Sequence, residues 1–211
     1  MGPVSELSPT GAGAVEKPSM SEPFRPVLVV VALLAVMWAV EIIDLIPGTP
    51  FDRWGIRPRT MRGLFGIPVA PFLHSGFGHL FANTIPFLVL GAFIAIGDLR
   101  RFVQVTVIVG LTSGLGTWLF ASPGTIHIGA SGLVFGYLTY LVARGFFAGK
   151  VLWVVGGIVV LIFYGGILWG LLPRPGISWT GHVFGALGGV LAAWYVHGRE
   201  PDDADLVVAR P

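Results

Sequence analysis

VLVVVALLAVMWAVEIIDLI, residues Val27–Ile46, runs for 20 residues and holds its two acids, Glu41 and Asp44, back to its last turns. A helix rises 1.5 Å per residue, so about 20 mainly apolar residues cross the hydrocarbon of a bilayer. Backbone polar groups find no water there, and a helix satisfies them within itself. Five more apolar stretches follow, at roughly His79–Ile96, Phe102–Phe120, Ser131–Phe147, Val151–Leu172 and Ser178–His197. The expected fold is therefore all-α, a polytopic membrane bundle of six transmembrane helices. Composition points the same way. Of 211 residues, 54% are hydrophobic and 11% charged, with a mean hydropathy of +0.81. Soluble domains carry about 25% charged residues, so this chain is short of the polar surface that water requires.

Residues 1–26 are rich in Pro, Ser, Gly and Glu and lack an apolar core followed by a small-residue cleavage site. They read as a disordered tail rather than a signal peptide. The membrane domain is expected over 27–197, with a second, charged tail over 198–211. Cysteine is absent, which excludes disulfides, thiolate metal sites and a cysteine nucleophile. The basic residues are scattered and form no stripe of the kind that binds nucleic acid. The lipid bilayer is the partner that the composition demands.

Six spans put both termini on one side. With the N-terminus inside, eight Lys and Arg residues fall inside and five outside. The short connections 98–101 and 149–150 are the cleaner part of that bias, because short loops dominate the rule. This predicts cytoplasmic termini in the cell membrane. The connection from Pro47 to Gly78 is longer than ordinary loops, yet it mixes Phe51, Trp54, Phe65 and Phe72 with arginines. Rings and guanidinium groups both suit the headgroup layer, so a partly ordered structure in the outer interface is expected. Glu41 and Asp44 are expected to reach that interface, because no other span offers an acid for a proton relay.

Three polar clusters interrupt the apolar pattern: His79 with Asn83, Gly129-Ala130-Ser131-Gly132, and Gly181-His182. Each opens an even-numbered span, and even-numbered spans all begin on one membrane face. Polar groups are costly in lipid, so this convergence is a site hypothesis. Ser131 begins a helix after the Pro123-Gly124 turn, where free N–H groups favour an oxyanion. Alone, such a serine also reads as a packing or back-bonded residue. His182 has the pKa to take a hydroxyl proton, though a lone histidine is equally accounted for by a neighbouring carbonyl. Gly132 and Gly136 in one span, and Gly181, Gly185 and Gly189 in another, let two helix backbones approach closely. That approach would bring Ser131 and His182 together. His79 and Asn83, four residues apart, share a helix face and can donate hydrogen bonds to a developing negative charge. A polar pair gluing helices is the other reading. No acid lies near His182 in sequence, so a Ser–His dyad is more economical than a triad. His-Glu-x-x-His is missing, so no zinc site of that kind is expected, and a Ser–His dyad calls for no metal or organic cofactor.

Taken together, these residues resemble the rhomboid family of intramembrane serine proteases over about 27–197. His74-Ser-Gly-Phe-Gly-His79-Leu-Phe-Ala-Asn83 is similar to the family's second-helix signature. Gly129-Ala130-Ser131-Gly132 is similar to its nucleophile motif, and Gly181-His182-Val183-Phe184-Gly185 to its last-helix motif. The resemblance implies a six-helix core with an aqueous cavity open to the outside. It implies hydrolysis of peptide bonds in or near a partner's transmembrane helix, so the partners would be transmembrane protein substrates. Ser131 would be the nucleophile and His182 the general base. His79, Asn83 and the Ser131 N–H would hold the oxyanion. Gly129, Phe135 and His74 would be neighbours of the site. The connection 47–78 would match the family's membrane-embedded first loop, with Trp54-Gly55-Ile56-Arg57 loosely similar to its Trp-Arg element. Residues 173–178 would cap the site, and the fifth helix would serve as a lateral gate. Two positions depart from the pattern: Phe135 stands where many members have tyrosine, and Gly181 where alanine is usual. A catalytically silent, client-binding relative is the alternative, and a binder has no need of Ser131, His182, His79 and Asn83 together. A small transporter would show inverted repeats, and none is evident.

Overall fold

The computed structural model describes residues 24–46, 48, 51–96 and 98–198. The expected tails thus lie largely outside the described residues. Seven α-helices follow in order: α1 (Val27–Asp44), α2 (Met61–Gly66), α3 (Phe77–Ala95), α4 (Leu99–Phe120), α5 (Ser131–Phe147), α6 (Val151–Tyr164) and α7 (Trp179–His197). The architecture is all-helical; a single two-residue bridge, Ile56 with His127, is the extended pairing among the described residues.

Four segments are long and apolar enough to cross a membrane by length and composition: Val27–Asp44, Phe77–Ala95, Leu99–Phe120 and Val151–Leu171. The other two expected spans, α5 and α7, occupy the middle. The helix α7 packs along α5 and α4, while α5 also meets α6 and α3, and α1 leans on α3. Their composition answers to neighbouring helices rather than to lipid. In α7, four glycines and two histidines occur within 19 residues.

Association of helices in lipid depends on close packing, because lipid chains are as apolar as the side chains. A Cβ on Gly185 would overlap the Gly132 carbonyl oxygen, and one on Gly189 would overlap that of Gly136. The α5 and α7 backbones therefore touch directly. Hydrogen bonds lock the contact: Thr139 Oγ1 donates to the Ala186 carbonyl at 2.7 Å, and Ser113 Oγ of α4 donates to that of Gly181 at 2.8 Å. The fully buried Tyr137 packs on Phe87 and Phe102, and its hydroxyl meets Thr106 Oγ1 at 2.8 Å.

The fifth apolar stretch is not one α-helix. It tightens after Tyr164 into a 3-10 segment, Gly165–Leu171. The long connection is ordered over 51–73, with short helical turns at Phe51–Trp54 and Ala70–Phe72 flanking α2. Thr60 caps α2 by accepting the Gly63 N–H at 3.0 Å. Trp118 Nε1 donates to the Thr60 carbonyl at 2.8 Å, and Arg59 to that of Leu119 at 2.7 Å, which ties the connection to the end of α4. Glu41 is buried among protein groups rather than open to solvent, and it accepts the Gly76 N–H at the start of α3. Asp44 accepts the Phe51 N–H at 2.8 Å.

Candidate active site

The turn before α5 is built to deliver Ser131. Gly129 has φ +110°, and a Cβ there would stand 2.6 Å from His79 Cε1 and 2.7 Å from Nε2. Glycine thus serves twice, by its conformation and by letting the His79 ring lie against the backbone. The Gly129 N–H donates to the Ala70 carbonyl at 2.9 Å, and the Ala130 N–H points to His74 Nε2 at 3.4 Å. Ser131 is the first residue of α5, so its own N–H has no acceptor within the helix.

His182 meets that serine from α7. Its Nε2 lies 2.8 Å from Ser131 Oγ, and its Nδ1 lies 2.7 Å from the Gly170 carbonyl oxygen. A carbonyl only accepts, so Nδ1 carries the hydrogen and Nε2 is the acceptor for the serine O–H. Phe135, one turn beyond Ser131, stacks on the imidazole with centroids 4.2 Å apart and planes at 10°. The ring is held from three sides. Space is tight as well: a Cβ on Gly170 would stand 2.9 Å from Phe135 Cζ and 3.2 Å from His182 Nδ1.

His79 and Asn83 are placed differently. The His79 ring edge lies at Gly129, while its Nδ1 lies 3.3 Å from Ser75 Oγ. Asn83 is buried and turns its amide back along its own helix, donating to the His79 carbonyl at 3.0 Å. It makes no hydrogen bond to α5 among the described residues. His74 is buried, with its ring 5.0 Å from that of His79. Burial, reinforced by the neighbouring His79, brings its pKa down to about 4.

The sequence matches the Rhomboid domain over residues 62–199. The chain belongs to the rhomboid family. It is 45% identical over 180 residues to an uncharacterized protein of Mycobacterium tuberculosis, Rv1337, covering 81% of this chain and 75% of that one. An uncharacterized protein of Mycobacterium leprae, ML1171, is 42% identical over 180 residues, covering 81% and 71%. With its apolar helices, this rhomboid is an integral membrane protein.

Other residues complete the surroundings of the site, and Gly170 among them escapes a reading of the sequence. Gly170 contributes only a backbone oxygen, which no motif announces. Ser178 accepts the His182 N–H on its carbonyl at 3.1 Å, and its hydroxyl lies 2.7 Å from His127 Nδ1. His127 also meets Thr125 Oγ1 at 2.7 Å and pairs with Ile56 through two 2.9 Å backbone bonds. It thus ties together the long connection, the turn before α5 and the start of α7. Burial lowers its pKa. A space of about 30 Å³ touches Ser131, Ser113, Thr117, Ser178 and Gly181. Its hydroxyl groups and its size suit a water molecule. A larger cavity of about 410 Å³ lies beside 173–177 and is lined by His127, Arg174 and Trp179.

Proposed function

We propose that this rhomboid is an intramembrane serine endopeptidase that works through a Ser131–His182 dyad and cuts membrane proteins in or near their transmembrane segments. The observation that carries this reading is the 2.8 Å contact between Ser131 Oγ and His182 Nε2, with Nδ1 fixed by the Gly170 carbonyl. A hydroxyl is a poor nucleophile until a base takes its proton, and a correctly tautomeric imidazole is that base. Ser131 Oγ attacks the scissile carbonyl as Nε2 takes the proton. The imidazolium then returns it to the leaving amine, giving an acyl-enzyme. Water, deprotonated by the same Nε2, attacks the ester and frees Ser131.

The developing oxyanion is served by the Ser131 N–H at the start of α5, with the His79 imidazole and, after a turn of its amide, Asn83. Donors of this kind each contribute about 3 kcal/mol to such a transition state. No metal or organic cofactor takes part in these steps. Substrates are single-pass proteins whose helices unwind readily near the site, because intact helical hydrogen bonds shield the scissile carbonyl. The protein sits in the cell membrane as six spans, with cytoplasmic termini and the dyad toward the outside.

Labelling by a fluorophosphonate in detergent tests the reading. Wild type labels covalently, whereas Ser131→Ala and His182→Ala remain folded and do not. A well-folded wild type that resists several such probes would favour a client-binding role instead.

A further inference from the structure

Arg144 lies thirteen residues beyond Ser131 on α5, roughly 20 Å along the helix axis. Its guanidinium carbon stands 4.9 Å from the centroid of the Trp153 ring, and the Lys150 ammonium stands 5.2 Å from the same ring. Two cations thus gather on one aromatic surface. Arg144 Nε is buried and has no hydrogen-bond partner among the described residues. Among the described residues, the acid at this end is Asp98, and it is engaged elsewhere, by the Arg101 side chain at 3.2 Å and the Arg101 N–H at 2.9 Å. The ionisable groups acting on Arg144, among the described residues, are Tyr140 and Arg101, with no carboxylate among them. A buried donor and an uncompensated charge are both costly in an apolar medium. Among the described residues the arrangement lacks an anion.

Beside Arg144 a groove of about 630 Å³ opens between α3, α5 and α6. Val89, Phe93, Leu141, Val160 and Phe163 line it, and Arg144 is the charged residue among its lining. We propose that this groove binds an anionic phospholipid. The phosphate takes the N–H edge of Arg144 beside Lys150, and an acyl chain lies along the apolar wall. Stacking on Trp153 occupies one face of the guanidinium and leaves its edge free for the forked contact that phosphate favours. Basic pockets between membrane helices hold phosphate headgroups by the same electrostatics. A transmembrane helix in the groove would offer Arg144 mainly apolar side chains and leave Nε without an acceptor. A lipid supplies both the chain and the anion. This inference rests on membrane residence alone and does not depend on proteolysis.

The test is native mass spectrometry of the full chain in detergent, with phosphatidylglycerol or phosphatidylcholine bearing the same acyl chains. Wild type should retain phosphatidylglycerol about fivefold better, the preference that one cationic contact supplies. Arg144→Gln should abolish the preference, and Arg144→Lys should keep part of it, which separates charge from misfolding. Val160→Trp, which fills the groove, should reduce retention of both lipids. Equal retention by wild type, or an unchanged preference in Arg144→Gln, overturns the proposal. So does a wild type that holds neither lipid and instead cross-links, from a photoreactive group at Val160, to a single-pass membrane protein.

Discussion

His182 Nδ1 stands 2.7 Å from the carbonyl oxygen of Gly170, so a backbone group takes the place that a carboxylate holds in a Ser-His-Asp triad. A carbonyl fixes the tautomer and the tilt of the ring, but it offers only a partial charge to the imidazolium of the proposed mechanism. Fixing geometry is then the larger part of its contribution. That places weight on the 3-10 segment Gly165–Leu171, whose tightened backbone presents this oxygen to α7.

Gly170→Ala tests that dependence. The new methyl would meet Phe135 Cζ at 2.9 Å and His182 Nδ1 at 3.2 Å, so the ring must tilt or the segment must shift. The rate of fluorophosphonate labelling should fall by about tenfold or more, in line with the value of a positioned general base. The melting temperature should change little, because the segment lies at the edge of the bundle. Labelling at the wild-type rate would remove Gly170 from the positioning machinery.

Phe135 bears on the same ring from another side. Its stacked contact at 4.2 Å is worth about 1 kcal/mol beyond the area it buries. Phe135→Ala should therefore slow labelling by about fivefold to tenfold, through a loosened imidazole. Phe135→Tyr, which keeps the stacked ring, should label at least as fast as wild type. If Phe135→Ala were indistinguishable from wild type, the stack would be packing alone.

The α5–α7 contact makes a stability prediction. Gly185→Ala would drive a methyl into the Gly132 carbonyl, and Gly189→Ala would drive one into that of Gly136. Each should destabilise the fold by about 1–3 kcal/mol, as overpacking does in well-packed cores. Gly156→Ala on α6 meets nothing within 4 Å and should be neutral or slightly stabilising. Melting in detergent separates the three, and equal melting temperatures would mean that close backbone approach is not what joins α5 to α7.

These contacts differ in how far the sequence displays them. The start of α5 at Ser131 and the glycine spacing on α5 and α7 are legible, because small residues four apart have few other uses in a membrane helix. The meeting of Ser131 with His182 follows from that spacing. Gly170 is not legible, since every residue owns a carbonyl and only the turn geometry frees this one. The break after Tyr164 is hidden for a related reason: an apolar run looks the same whether it continues as α or tightens to 3-10. Glu41 reads as an interfacial acid from its position near the end of α1, and its burial depends on where Gly76 presents an N–H. The direction of the Asn83 amide is likewise a tertiary matter.

A pH dependence of stability follows from His74. The folded protein holds this imidazole neutral down to about 4, against an ordinary value of 6.5, because it is buried beside His79. Protonation would also turn Nε2 from acceptor to donor, opposing the Ala130 N–H at 3.4 Å. Between those two pH values the unfolded chain binds the proton and the folded one does not. Stability is therefore fully present above about pH 6.5 and falls on acidification toward pH 4, by roughly 3 kcal/mol at most from this group. His127, lowered by burial, adds in the same direction. Asp52 opposes it, since burial and the Asp44 charge raise its pKa and protonation there favours the fold. Comparison with His74→Asn isolates the His74 share. The wild-type melting temperature in detergent should drop between pH 7 and pH 4.5 by more than that of His74→Asn. Equal drops in the two proteins would show that His74 is not the group that titrates.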